Sequence, residues 1–223
     1  MTRRHIVWDW NGTLLDDLEI VIAAVNAGLV PFGAGPIDTD AYRTHYTRPV
    51  RLFYEQLLGR VIPDPEWMRL HDLYFEAYQA TAATAALAPD AMAALSLAQR
   101  KGADQSLLSM APHEHLVPIV DRHCLTPFFR EIRGTSGDRG GAKATILADH
   151  LETLEVAAGE VILVGDTPDD AAAAARVGAG AVLYDGGSGA VLYDGGSHHR
   201  TDLERVGVPV VSTLTEAVEL AVE

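Results

Sequence analysis

Asp9 closes a short apolar, β-prone run, His5-Ile6-Val7-Trp8, and is followed at once by the polar, glycine-containing stretch Trp10-Asn11-Gly12-Thr13. The pattern predicts a buried strand that delivers a carboxylate to a tight loop. Held there, a carboxylate can accept a phosphoryl group, because the strand keeps it still while loop amides and a cation neutralise the transferred charge. Asp9 is therefore the candidate nucleophile. Two more strand ends carry polar groups: Ser109 after Ser106-Leu107-Leu108, and Asp166 after Val161-Ile162-Leu163-Val164-Gly165. Lys143 falls in the first turn of a helix expected over 142–151, and it is one of only two lysines, which makes its position more informative.

These residues need a scaffold, and the hydrophobic periodicity supplies one. Residues 17–86 read as wholly helical. A first helix carries Leu18, Val21, Ile22, Val25 and Leu29, with Asp16 or Asp17 as its cap. Two helices then meet at a bend at Arg48-Pro49, and a further helix opened by Pro63-Asp64-Pro65 runs to about Ala86. After Leu87-Ala88-Pro89-Asp90 the pattern changes to strands alternating with helices: a helix over 91–100, the strand at 106–109, a helix over 114–123 and a weaker strand over 128–133. A glycine-rich loop over 134–141, the helix of Lys143, the strand at 161–164 and an alanine helix over 171–175 follow. Alternation of this kind implies an α/β fold with a parallel, Rossmann-like sheet, whose functional loops lie outside the carboxyl ends of the strands. The domains expected are a core of residues 1–16 and 87–223 and an all-helical insert over 17–86.

The nonapeptide Gly180-Ala181-Val182-Leu183-Tyr184-Asp185-Gly186-Gly187-Ser188 recurs unchanged as residues 189–197. Two copies are too few for a repeat fold. Either copy can fill a sheet position, leaving the other looped out or at an edge. Near the end, Pro209 confines a short strand over 208–211 to a sheet edge or a strand start, and a closing helix follows.

Composition narrows the partners. A formal charge of −14 over 223 residues disfavours nucleic acid and anionic membranes and leaves small-molecule chemistry. The single cysteine, Cys124, excludes an internal disulfide and reads as a small buried hydrophobe. With no signal peptide and no run of 18 apolar residues, a cytoplasmic location is expected.

Together, Asp9-Trp10-Asn11-Gly12-Thr13-Leu14, Ser109, Lys143 and Gly165-Asp166-Thr167-Pro168-Asp169-Asp170, in that order and spacing, resemble the haloacid dehalogenase superfamily of phosphatases. The helical insert resembles the cap of its phosphoglycolate phosphatase-like members. The resemblance implies that Asp9 becomes an aspartyl-phosphate, and that Asp9, the main-chain carbonyl of Asn11 and Asp166 hold Mg²⁺. Asp170 would bind a metal-bound water or orient Lys143. Ser109 and Lys143 would bind the phosphoryl oxygens, and Thr13 would fix the loop.

The chain also departs from the family. Asn11 stands where such phosphatases carry a second Asp, and an amide cannot exchange a proton at neutral pH. Hydrolysis of ordinary alkyl phosphates is then expected to be slow, and activated acyl phosphates become better substrates. His113 is a candidate substitute acid, with a surface-loop histidine as the alternative. Lys143 is followed by Ala144 where the family often has proline. In the insert, Arg43, His45, Arg48 and Arg51 can clamp a carboxylate or second phosphate of a substrate, or simply form a solvated face. Trp8 reads as core and Trp10 as a shaper of the pocket entrance. A small phosphorylated substrate follows, with a non-hydrolytic descendant that binds a phosphorylated ligand or a protein as the rival reading. Metal-independent dehalogenation is disfavoured, because Asp166 and Asp170 furnish a cation site it does not need.

Overall fold

A computed structural model describes residues 4–136, 142–186 and 196–223. The chain forms two units, Met1–Asp16 with Ala86–Glu223, and Asp17–Ala85. In chain order the elements are β1 His5–Trp8, β2 Leu15–Asp16, α1 Leu18–Leu29, α2 Thr39–His45, α3 Val50–Leu58, α4 Asp64–Ala82, β3 Ala86–Leu87, α5 Ala91–Arg100, β4 Asp104–Pro112 and α6 His113–Arg122. They continue as β5 Ile132–Thr135, α7 Lys143–Leu154, β6 Val161–Gly165, α8 Pro168–Val177, β7 Gly180–Tyr184, α9 Arg200–Glu204, β8 Val210–Val211 and α10 Leu214–Val222.

The first unit is built on a six-stranded sheet in the order β5-β4-β1-β6-β7-β8. All five pairings are parallel. β1 lies between β4 and β6, and its four residues are all buried, as a central parallel strand covered on both faces requires. One core layer joins Val7, Leu108 and Leu163 to Leu147 and Leu151 of α7 and Ala173 and Ala174 of α8. The small alanines let α8 lie close to the strands that carry Asp9 and Asp166. The chain leaves this unit after β2 and re-enters at β3, and the two short strands pair antiparallel.

Within the second unit α1 to α4 enclose a core of Leu18, Ile22, Val25, Leu29, Tyr42, Phe53, Tyr54, Ile62 and Leu70. Its aromatic part is tightly arranged, Tyr42 stacking on Tyr46 at 4.9 Å with Phe53 edge-on to both.

Several expectations need correction. The strand expected over 128–133 starts later, at Ile132, because Pro127 opens a 3₁₀ turn over Thr126–Phe128. Asp17 precedes α1 but does not bond its amides, since its carboxylate accepts a 2.7 Å bond from the Tyr78 hydroxyl instead. Cys124 is exposed, not buried: it takes the left-handed conformation (φ 59°) in the turn just past the end of α6. Trp10 is 1 % exposed and so lines no entrance. Short elements were missed too, namely β2, β3 and α9, which lack enough residues to show a period.

In the repeat, the first copy supplies β7, between β6 and β8. Of the second copy only Gly196 and Ser197 fall among the described residues, as does only the start of the expected 134–141 loop.

Candidate active site

Asp9 follows the last residue of β1, and its backbone N–H bonds the carbonyl of Val164 at 2.8 Å. That bond ties the loop after β1 to the end of β6, so Asp9 and Asp166 emerge side by side. The chain then folds back on itself: Leu15 N–H donates to Trp10 O at 2.9 Å and Gly12 N–H to Leu15 O at 2.9 Å. Gly12 is needed here, with φ +71° and a Cβ that would fall 2.4 Å from Asp166 Oδ2.

Asp170 comes from α8. Its carboxylate accepts from Thr167 N–H at 2.9 Å and Thr167 Oγ1 at 2.7 Å, while the Asp170 amide bonds Thr167 Oγ1 at 3.4 Å, a reciprocal capping box. Gly165 makes room for it, since a Cβ there would stand 2.3 Å from Asp170 Cγ.

Lys143, the first residue of α7, reaches into this acidic group. Its Nζ lies 2.5 Å from Asp9 Oδ1 and also pairs with Asp170 Oδ1. Asp9, Asp166 and Asp170 each offer a carboxylate oxygen within 4.8 Å of the others, and all three are buried. Asp166 is held by weaker donors, Thr13 Oγ1 on Oδ1 at 3.4 Å and the Ser197 amide on Oδ2 at 3.2 Å. Ser109 Oγ donates to Asn11 Oδ1 at 3.5 Å and accepts from Ala111 N–H at 3.0 Å.

Charge in this cluster is uneven. Burial pushes the Asp9 carboxyl up to about 6, with Lys143 pulling the other way and Asp170 adding to the rise. Burial, then the charges of Asp9 and Asp170, carry Asp166 up to about 8. Burial acts on Asp170 in the same sense, but the Lys143 charge and hydrogen bond overcome it and hold that carboxyl below its ordinary value. For Lys143 burial favours the neutral amine, and the two carboxylates outweigh it and keep the ammonium. Three carboxylates thus share one ammonium among the described residues, and Asp166 takes the deficit. A hard divalent cation with oxygen ligands fits that donor set and that charge.

Residues 4–178 match the family model of the haloacid dehalogenase-like hydrolases. The chain belongs to this family. Among haloacid dehalogenase-like relatives, a phosphoglycolate phosphatase of Pseudomonas aeruginosa is 28 % identical over 191 residues, 81 % of this chain and 70 % of that protein. A second, from Psychrobacter arcticus, is 24 % identical over 76 % of this chain and 78 % of that protein. In fold, the chain is similar to a haloacid dehalogenase-like family hydrolase from Streptococcus pneumoniae, with a TM-score of 0.80, 18 % identity and 98 % of each chain covered. A hydrolase from Pseudomonas syringae gives a TM-score of 0.77 at 17 % identity, with 97 % of each chain covered.

Seven positions singled out from the sequence, Asp9, Asn11, Thr13, Ser109, Lys143, Asp166 and Asp170, come together in the first unit through the contacts above. His113 is exposed and its Nδ1 accepts from Gly134 N–H at 3.3 Å, which fits the surface reading. Arg48 is exposed in the second unit, where Arg43 is buried. Arg51 pairs there with Glu55 at 3.4 Å and Asp64 at 2.8 Å, so its guanidinium serves the unit's own structure. Sequence reasoning missed Thr167 as the residue that orients Asp170, although Thr-Pro-Asp-Asp carries a capping-box signature, and it missed Ser197, for which no local pattern gives a signal. Among the described residues no helix is long and apolar enough to cross a membrane.

Proposed function

We propose that this chain is a cytoplasmic Mg²⁺-dependent phosphatase that hydrolyses a small phosphorylated metabolite through an aspartyl-phosphate on Asp9. The observation that carries the reading is the contact of Lys143 with both Asp9 and Asp170 beside an undercompensated Asp166. Lys143 keeps Asp9 ionised and so able to attack, and its ammonium faces the place where phosphoryl charge arrives. Asp9, Asp166, Asp170 and the Asn11 carbonyl would hold the cation, which when bound neutralises phosphoryl oxygens. Thr13 steadies Asp166. Ser109 would exchange its bond to Asn11 for one to a phosphoryl oxygen.

In the first half-reaction an Asp9 oxygen bonds to phosphorus as the phosphorus–oxygen bond to the leaving group breaks. In the second, water bonds to phosphorus and the Asp9 carboxylate departs. Asn11 can orient the leaving oxygen or the water, but the proton needed by an alkoxide must come from elsewhere. Phosphates with good leaving groups are the substrates this site suits best.

The names of the relatives support phosphoglycolate, a small anionic phosphate ester, as the first compound to try. In this reading the helical unit is the family-type cap domain, and Arg48 is its candidate for recognising the substrate's second charge. Phosphate release from phosphoglycolate, with and without Mg²⁺, tests it: release abolished by a chelator and restored by Mg²⁺ supports the reading, and none in either condition removes phosphoglycolate. Asn11 favours a second reading, a weakly hydrolytic protein that binds a phosphorylated ligand. Tight ligand binding without turnover on any phosphate would favour it.

A further inference from the structure

The tandem nonapeptide is used unequally, and the geometry at its two ends shows how. The first copy runs through β7 into Asp185 and Gly186, the latter at φ 79°. The described chain resumes at Gly196, where an added Cβ would lie 2.9 Å from the Asp185 carbonyl carbon and oxygen and 3.3 Å from the Gly186 nitrogen. Gly196 therefore sits directly against Asp185 and Gly186. With a period of nine, Gly196 is the counterpart of Gly187, the residue that follows Gly186 in a single copy. The structure brings together the two glycines that a chain with one copy would join by a peptide bond.

The next residue does the site's work. Ser197 N–H donates to Asp166 Oδ2 at 3.2 Å, and its hydroxyl also bonds that carboxylate. From the other side the Ser197 Oγ packs against Gly12, 3.1 Å from where a Cβ there would lie. Its counterpart in the first copy is Ser188.

We infer that the repeat is read in two parts: the first copy supplies the strand, the end of the second supplies the turn that orients Asp166, and residues 187–195 are dispensable to both. Ser197 is a positioning residue, acting on the cation through Asp166. The inference rests on the reading of Asp166 as a cation ligand, and its test separates the two.

Excision of residues 187–195 leaves Gly-Ala-Val-Leu-Tyr-Asp-Gly-Gly-Ser-His once, with every described residue of both copies retained. Mg²⁺ affinity, read by calorimetry, and melting temperature are compared among the native chain, the excised chain, Ser197→Thr and Ser197→Pro. The excised chain and Ser197→Thr should bind Mg²⁺ as the native chain does, and the excised chain should melt no lower. Ser197→Pro, which lacks both donors, should bind Mg²⁺ ~10-fold more weakly or worse, the usual loss for a group that orients a ligand. A folded excised chain that no longer binds Mg²⁺, or one that melts well below the native chain, overturns the inference, as does native affinity in Ser197→Pro. Should Ser197→Pro fail to fold, Ser197→Ala replaces it, and unchanged affinity there counts against the hydroxyl's part. If the native chain itself takes up no Mg²⁺, the cation reading falls, and the metal-free melting temperature of the excised chain alone decides whether 187–195 is dispensable.

Discussion

Lys143 Nζ lies 2.5 Å from Asp9 Oδ1 although 134 residues separate them in the chain. The fold achieves this by starting α7 beside the carboxyl end of β1, so the proposed nucleophile and its counter-charge are held at the ends of two rigid elements.

Lys143→Met should therefore damage both activity and stability. The buried carboxylates of Asp9 and Asp170 would lose their ammonium, and breaking a buried pair from one side costs about 3 kcal/mol or more. Urea unfolding should show the loss, with phosphate release down ~10²-fold or more. Native-like stability in the variant would show that the carboxylates find compensation elsewhere.

Asn11→Asp should restore proton transfer. General acid–base catalysis is worth ~10²–10⁴-fold, so the rise should appear with alkyl phosphates and be much smaller with acyl phosphates. An equal effect on both would mean that Asn11 matters through position and not through its missing proton.

Gly165→Ala should displace Asp170, since the new Cβ would stand 2.3 Å from its Cγ. Overpacking of this kind costs roughly 1–3 kcal/mol. Weakened Mg²⁺ uptake together with a lowered melting temperature is the expected result. A variant with native Mg²⁺ affinity would mean that Asp170 can shift without consequence for the site.

Beneath the sheet, His5 and His150 share one hydroxyl, each Nε2 lying 2.8 Å from Ser106 Oγ. Ser106 has a single proton to donate, so the two rings must be opposite tautomers. Burial, then Arg130, holds His5 down to about 4, and burial, then Arg133 and His5, holds His150 down to about 3. Both are neutral in the folded chain at pH 5, where unfolded histidine is charged. The unfolded chain then binds more protons, so this contribution to stability is full above about pH 6.5 and is lost as pH falls toward 4. Ring resonances of both residues in NMR should stay unprotonated from pH 8 to 5. A midpoint near 6.5 for either would contradict the buried, shared-hydroxyl arrangement.

Much of this was legible in the sequence where the local signal is strong. The apolar runs ending at Asp9 and Asp166 are short, dense and bounded by polar or glycine-containing loops, so those strand ends could be read directly, whereas β4 runs past Ser109 to Pro112, beyond the apolar stretch that marked it. The helix over Ala91–Arg100 was read to the residue, because Pro89-Asp90 opens it and Lys101-Gly102 closes it. What failed depends on tertiary surroundings. The burial of Trp10 is set by packing around the turn, including His123 edge-on at 6.4 Å. Arg51 looked available for substrate, yet Asp64, 13 positions on, claims it. Ser197 had no periodicity, no motif and an identical counterpart nine residues earlier, so only its bond to Asp166 distinguishes it.

The most direct test of the account is Mg²⁺-dependent phosphate release from acetyl phosphate, which needs little leaving-group protonation, by the native chain and by Asp9→Asn. Turnover is expected in the native chain and none in Asp9→Asn, with a phosphoryl adduct that mass spectrometry locates on Asp9. Equal release by both folded, Mg²⁺-bound proteins would contradict it, because Asp9 would then not be the nucleophile.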